Sequence, residues 1–228
     1  MVLCRRAAEA LADLNPGSDI DAAARMLGES HPSMAPLRNL ALRLLESRDP
    51  ARAAAAFLAE LDGANPGIAA RALPLIPQRA TILTHSASQT VFETLVAARE
   101  GGRDVSVLAT ESRPGFEGEQ LARSLSERGI PCRLIPDATA YREMAGADLA
   151  LVGADWISPE SVVNKVGTAL IALAGRERGK PVYCLASRLK RLPYEPPAEE
   201  TGLFEATPAR YFAALVSEDG VTRPGARS

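Results

Sequence analysis

The chain has 228 residues, 46% of them hydrophobic, and a formal net charge of −2. That length suits one sizeable α/β domain with a smaller appendage, and the near-neutral charge argues against a nucleic-acid-binding face. No apolar run approaches the roughly 20 residues of a membrane span, and three scattered cysteines with two histidines make neither a disulfide framework nor a zinc site.

The chain opens with Arg5, Arg6, Glu9 and Asp13 where a signal peptide needs an apolar core, so a cytoplasmic protein is expected. Residues 1–75 read as a helical N-terminal domain. Leu3, Ala7, Ala10, Leu11 and Leu14 recur at helical spacing. Asn15-Pro16-Gly17 breaks that helix, and Ser18 is expected to cap a second one, with Asp19 and Asp21 in its first turn. Leu37, Leu40, Ala41, Leu44 and Leu45 mark a third helix. Asp49 caps a fourth with Pro50 at its first position, and Asn65-Pro66-Gly67 is expected to end it.

Residues 76–228 follow a different pattern. The apolar runs ATILTHS, VSVLATES, CRLIPD, DLALVGAD and PVYCLAS alternate with helical segments. Such alternation predicts an α/β fold with a mostly parallel sheet and helices on both faces. Polar residues collect at the ends of these runs: Thr84, His85 and Ser86; Glu111, Ser112 and Arg113; Asp137; Asp155; Ser187 and Arg188. In a parallel sheet those ends share one edge, where ligands bind. The tail FEATPARYFAALVSEDG reads as a strand, a helix start at Thr207-Pro208 and a turn at Asp219-Gly220.

The stretch LVGADWISPESVVNKVGT carries the strongest chemical signal. Asp155 ends a strand, placed as a general acid or base or as a turn residue. Asn164-Lys165-Val166-Gly167-Thr168 is expected to open a helix, whose free N–H groups and positive dipole end suit an anion beside the Lys165 charge. An acid and an anion-binding helix start, one loop apart, point to a phosphorylated small molecule. Ser86 is expected to form a capping box with Gln89 and could also meet a ligand anion. Arg113 is either a phosphate clamp or an ion-pair partner of Glu111 or Asp137. His85 is either an acid–base group or a satisfied structural histidine. No Gly-x-Ser-x-Gly, Gly-x-Gly-x-x-Gly or Gly-Lys-Ser/Thr motif follows any strand.

Taken together, ILTHSAS, ESRPGFEG, LVGADWI, NKVGT and FEATP followed by SEDGV resemble the family of translation initiation factor 2B alpha, beta and delta subunits. That family includes methylthioribose-1-phosphate isomerase and ribose-1,5-bisphosphate isomerase. The resemblance spans residues 79–223 and implies a Rossmann-like C-terminal domain behind a helical N-terminal domain, with homodimers or larger homo-oligomers formed through the former. It implies Asp155 as the catalytic aspartate and Asn164 and Lys165, with Gly167 in the same motif, as phosphate binders. Ser86 stands at the position of the isomerases' catalytic cysteine, and a hydroxyl is a far weaker acid than a thiol. Glu117 stands where the family commonly has glutamine. No Arg-Gly-Ala loop is present, and His31-Pro32-Ser33 corresponds to a family Arg-Pro-Thr.

Three functions follow as expectations. The first is binding of a phosphorylated sugar or nucleotide without thiol chemistry, at a site of Asp155, Ser86, Asn164, Lys165, Gly167, Arg113, Glu117 and His85. The second is an aldose–ketose phosphate isomerase working through Asp155 on a ribose 1-phosphate-type substrate. The third is an oligomeric interaction module. No cofactor, metal, nucleic acid or membrane partner is expected.

Overall fold

The structure, a computed structural model, describes residues 2–12, 19–31, 33–197 and 202–224. Four helices come first: α1 (Val2–Ala12), α2 (Ile20–Ser30), α3 (Ala35–Glu46) and α4 (Pro50–Ala72). Cys4, Leu37, Leu40, Leu44, Phe57 and Leu61 form their shared core. The α2 cap is Asp19, whose side chain accepts from the Ala22 N–H at 3.0 Å; Ser18 and the Asn15-Pro16-Gly17 break lie outside the described residues. Asp49 caps α4 by accepting from the Arg52 N–H.

The expected stop at Asn65-Pro66-Gly67 is corrected. α4 continues through Pro66 to Ala72 because its second half is buried against the sheet. Ala64, Ile68 and Ala72 join the sheet's core there. One lost backbone hydrogen bond at proline is a few kcal/mol, comparable with the burial of two apolar side chains. Asn65 adds an acceptor for the Thr90 hydroxyl at 2.9 Å.

The sheet strands and their connections follow in chain order: β1 (Arg79–Thr84), α5 (Gln89–Glu100), β2 (Asp104–Thr110), α6 (Glu117–Glu127), β3 (Cys132–Ile135), α7 (Ala140–Glu143) and β4 (Leu149–Val152). Then come β5 (Trp156–Ile157), β6 (Ser161–Lys165), α8 (Thr168–Arg178), β7 (Val182–Leu185), β8 (Phe204–Pro208), β9 (Ala214–Ser217) and β10 (Gly220–Thr222). Seven strands form one sheet in the order β10-β9-β7-β4-β1-β2-β3, parallel except for the β9–β10 hairpin. On one face, Val91 and Leu95 of α5 and Leu121 and Leu125 of α6 pack on Ile82 and Val107. On the other, Ile171 and Ala172 of α8 pack with Met144, Val152 and Phe212. The α/β architecture with helices on both faces is as the alternation predicts.

Two local expectations fail. Residues 161–165 are a strand, not a helix start: β5, β6 and β8 form a second, antiparallel sheet, and α8 begins only at Thr168 behind Gly167. Every residue of β6 is buried, so its pairing on both sides with β5 and β8 satisfies the backbone there. Thr207-Pro208 ends β8 and leads into a single 3₁₀ turn rather than a helix, because the chain must at once re-enter the main sheet as β9. Among the described residues no helix is long and apolar enough to cross a membrane.

Candidate functional site

The carboxyl ends of the parallel strands surround a cavity of about 360 Å³. Its wall takes Ser86, Ser88 and Gln89 from the β1–α5 loop, Gln120 from α6, Asp155 from the β4–β5 loop, Asn164 from β6 and Lys190 from the loop after β7. Five separate segments therefore converge, as a parallel sheet edge requires.

The floor is a chain of buried polar contacts. The His85 Nε2–H donates to the Val166 carbonyl at 2.8 Å, which leaves Nδ1 to accept from the Thr110 hydroxyl at 2.6 Å. Burial holds the His85 pKa below its ordinary value, so the ring is neutral near pH 7 and both nitrogens are engaged. His85 thus ties β1 to the β6–α8 loop. Gly167 permits this tie: its φ is +108°, and a Cβ there would meet the imidazole at 2.8 Å. The Ser112 hydroxyl accepts from the Ser86 N–H at 2.7 Å, and Asp137 accepts from the N–H groups of Ser112 and Arg113.

The expected capping box at Ser86 is corrected. Ser86 sits at φ +62°, a conformation that turns the chain before α5, and Ser88 is the cap, accepting from the Val91 N–H. Four residues, His85 to Ser88, separate the strand end from the helix, so the hydroxyl at 86 lies two positions too early to cap it. Among the described residues no acceptor is found for the N–H groups of Gln89 and Thr90, which open α5 at the cavity wall.

Asp155 is held through its backbone. Its N–H donates to the Val163 carbonyl, and its carbonyl accepts from the Ala35 N–H at the start of α3. Its half-buried carboxylate has no hydrogen bond or ion pair among the described residues. Lys190 is 8% exposed and donates to the Ala154 carbonyl, with no carboxylate partner among the described residues. The helical segment fixes its loop. The Asn39 amide donates to the carbonyls of Leu189 and Arg191 at 2.7 and 3.1 Å, Arg188 pairs with Glu60 and Asp219, and Leu189 packs into the helical core.

Around Lys165 the charges are already matched. Lys165 is 5% exposed, and its ammonium lies 2.7 Å from Glu117. The start of α8, expected to present free N–H groups, is filled: one Glu205 oxygen accepts from both Gly167 and Ala169 at 2.8 Å. Its cap position is a glycine with no side chain to offer, so Glu205 supplies the missing acceptor. Glu205→Ala is expected to cost about 1–2 kcal/mol, read as a lowered thermal midpoint. The Asn164 amide donates to Thr168, locking the same turn. Arg113 is exposed, pairs with Glu111 at 3.1 Å and stacks over Phe116; it does not line the cavity. Of the alternatives for Arg113, Glu111 is its side-chain partner. His31 is exposed, and Pro32 lies outside the described residues.

Burial pushes the Cys4 and Cys132 thiols up to about 11 and the Cys184 thiol up to about 12, and none of the three lines the cavity. Among the described residues no cluster suited to a metal ion is found.

Residues 1–210 match the profile of the Initiation factor 2 subunit family. The chain belongs to that family. It is 35% identical over 213 residues to a translation initiation factor eIF-2B subunit 2-like protein of Pyrococcus horikoshii, covering 85% of this chain and 77% of that one. It is 33% identical over 171 residues to a ribose 1,5-bisphosphate isomerase of Haloferax volcanii, covering 63% and 53%. The crystal structure of Pyrococcus horikoshii translation initiation factor eIF-2B superposes with a TM-score of 0.89 at 32% identity, covering 98% of this chain and 91% of that one.

Within this family member, the cavity gathers Ser86, Asp155, Asn164 and His85 of the expected site residues and leaves Lys165, Glu117, Gly167 and Arg113 outside its lining. Sequence reasoning missed Ser88, Gln89, Gln120, Lys190 and Glu205. A signal for Lys190 existed: it lies five residues beyond the end of β7, on the ligand-facing edge, just after Ser187 and Arg188. Those two turn instead toward Glu218, Glu60 and Asp219.

Proposed function

We propose that this family member binds a small hydroxylated molecule carrying one phosphate, a sugar phosphate or nucleotide, in the cavity at the sheet edge, without thiol chemistry. The observation that carries this reading is Lys190, a buried cation that opens on the cavity and has no ion-pair partner among the described residues. A buried unpaired charge is costly, and a ligand anion relieves it. The free N–H groups at the start of α5 favour the same anion. Asp155 then accepts from ligand hydroxyls, while Asn164 and Gln120 complete the polar wall. The helical segment, residues 1–75, acts as the domain that braces Lys190 and Asp155 over the sheet domain, residues 76–228. The protein works in the cytoplasm as a homo-oligomer; Leu170 and Leu173, exposed on α8, suit contact with a second copy.

A second reading is favoured by the unpartnered Asp155 carboxylate: an aldose–ketose isomerase in which Asp155 moves the proton and the Ser86 hydroxyl assists. The kinship with a ribose 1,5-bisphosphate isomerase supports it. Phosphorus NMR with ribose 5-phosphate, ribose 1,5-bisphosphate, methylthioribose 1-phosphate and AMP separates the two. Broadened or shifted resonances without product are expected. Product resonances growing with time, and lost in Asp155→Asn, would establish the isomerase instead. Unchanged spectra across the panel would reject both.

A further inference from the structure

We propose that a shallow recess beside the cavity, between α5 and α6, is a subsite for a flat uncharged ring, so that the ligand is a nucleoside monophosphate rather than a bare sugar phosphate. The inference rests on the reading that the cavity takes a phosphate at Lys190 and ligand hydroxyls at Asp155, and it names a third group of the same ligand.

The recess has a volume of about 80 Å³. It shares Ser88, Gln89 and Gln120 with the cavity and adds Phe92, Leu121 and Ser124 beyond them. Two facing helical stripes make it. Ser88 caps α5 and Phe92 lies one turn on, while Gln120 and Ser124 lie one turn apart on α6. Leu121 belongs to the core under this face of the sheet and Phe92 packs against it, so the recess has a fixed apolar wall. Its polar groups are free. The Gln120 amide, which can both donate and accept, and the Ser124 hydroxyl have no hydrogen bond among the described residues. Gln89 is committed to Glu93, to which its amide donates at 2.9 Å. No charged side chain lines the recess, so a second phosphate finds no cation there. An aliphatic group meets the wall and leaves the amide and hydroxyl unused. A planar heterocycle offers its face to the Phe92 side and its ring nitrogens and edge groups to Gln120 and Ser124.

The order of groups along the sheet edge matches the order within a nucleotide. β7, β4, β1 and β2 are neighbours in that sequence, and Lys190, Asp155, Ser88 and Gln120 follow them in turn. Three strand spacings, about 14 Å, lead from the cation past the acid to the recess, and the Lys190 and Gln120 side chains reach inward from both ends. Phosphate, ribose and base lie in the same order. Ribose 5-phosphate fills the first two places and leaves the recess to water.

The test is calorimetric titration of the full chain with AMP and ribose 5-phosphate, which differ in the base at C1. Wild type is expected to bind AMP tighter by about 10-fold or more, the scale of one base against an aromatic wall. Ser124→Leu plugs the recess from a position outside the cavity lining. It is expected to weaken AMP by about 10-fold while ribose 5-phosphate changes far less. A preference for AMP that is absent in wild type, or that persists in Ser124→Leu, overturns the inference and leaves the phosphate reading standing. Adenosine covers the opposite case, in which ribose 5-phosphate does not bind. It carries the base and no phosphate, so saturation-transfer NMR reads the recess without Lys190. Its base protons are expected to receive saturation from wild type and Lys190→Met alike, and to lose it with Ser124→Leu. That pattern upholds the recess while the phosphate reading falls; no transfer from wild type in that case rejects both. Should Ser124→Leu fail to fold by circular dichroism, Ser124→Met is a more pliable plug for which the same losses are expected, and a retained AMP preference there rejects the inference.

Discussion

Replacing Lys190 with methionine is expected to weaken binding of ribose 5-phosphate by about 100-fold or more, close to 3 kcal/mol. Methionine keeps much of the apolar stem and removes the charge, so packing against the helical core changes little. The size follows from the surroundings. Lys190 is nearly excluded from water and has no counter-ion among the described residues, so a bound phosphate meets an ammonium already stripped of most of its hydration. A surface lysine pays that desolvation on binding and contributes far less. Calorimetry reads the loss directly, and the single tryptophan gives a fluorescence signal for the same titration. An affinity within threefold of wild type would remove Lys190 from the site and with it the proposed position of the anion.

Much of the fold was legible because the apolar runs are short, evenly spaced and separated by helical segments. That pattern leaves a parallel sheet as the natural arrangement, and it brings Ser86, Asp155 and Asn164 to one edge. The failures have separate causes. Residues 161–165 are fully buried between two partner strands of a second sheet; β5, just before them, is only two residues long, and β8 lies far along the chain. The Gly167-Thr168 pair does begin a helix, so the apolar continuation drew its start forward onto Asn164 and Lys165. Pro66 is an ordinary helix stop that tertiary burial overrides. The pairing of Lys165 with Glu117 joins residues 48 apart in sequence, and only the depth of the β2–α6 turn brings them together. The Glu117 charge could be seen in the sequence, but not its target. Lys190 was hidden for a related reason: its neighbours Arg188 and Leu189 face the helical segment, so the cavity-facing residue is one of three in a tight turn.

Trp156→Ala is expected to be the most damaging single substitution at the site, lowering stability by about 3–5 kcal/mol. For a chain of this length that corresponds to a fall of about 10 °C in the thermal midpoint. Trp156 follows Asp155 directly and is fully buried, packed with Ala35 of α3, Val163 of β6, Leu192 and Phe204. Its indole N–H donates to the Tyr194 carbonyl at 3.0 Å, and its ring meets that of Tyr194 edge-on at 5.6 Å. Truncation therefore leaves a large cavity and strands a carbonyl. It also loosens the ground on which Asp155 stands, since Ala35 donates to the Asp155 carbonyl from the same packed cluster. Trp156→Phe fills most of the space and loses only the hydrogen bond and part of the ring, so a smaller fall is expected. Circular dichroism is the measurement, because the variants remove the chain's one tryptophan. If the cluster positions Asp155, ribose 5-phosphate affinity falls in Trp156→Ala at temperatures where the protein is still folded, and recovers in Trp156→Phe. A lowered midpoint with unchanged affinity would confine Trp156 to the core and leave Asp155 held by β6 alone.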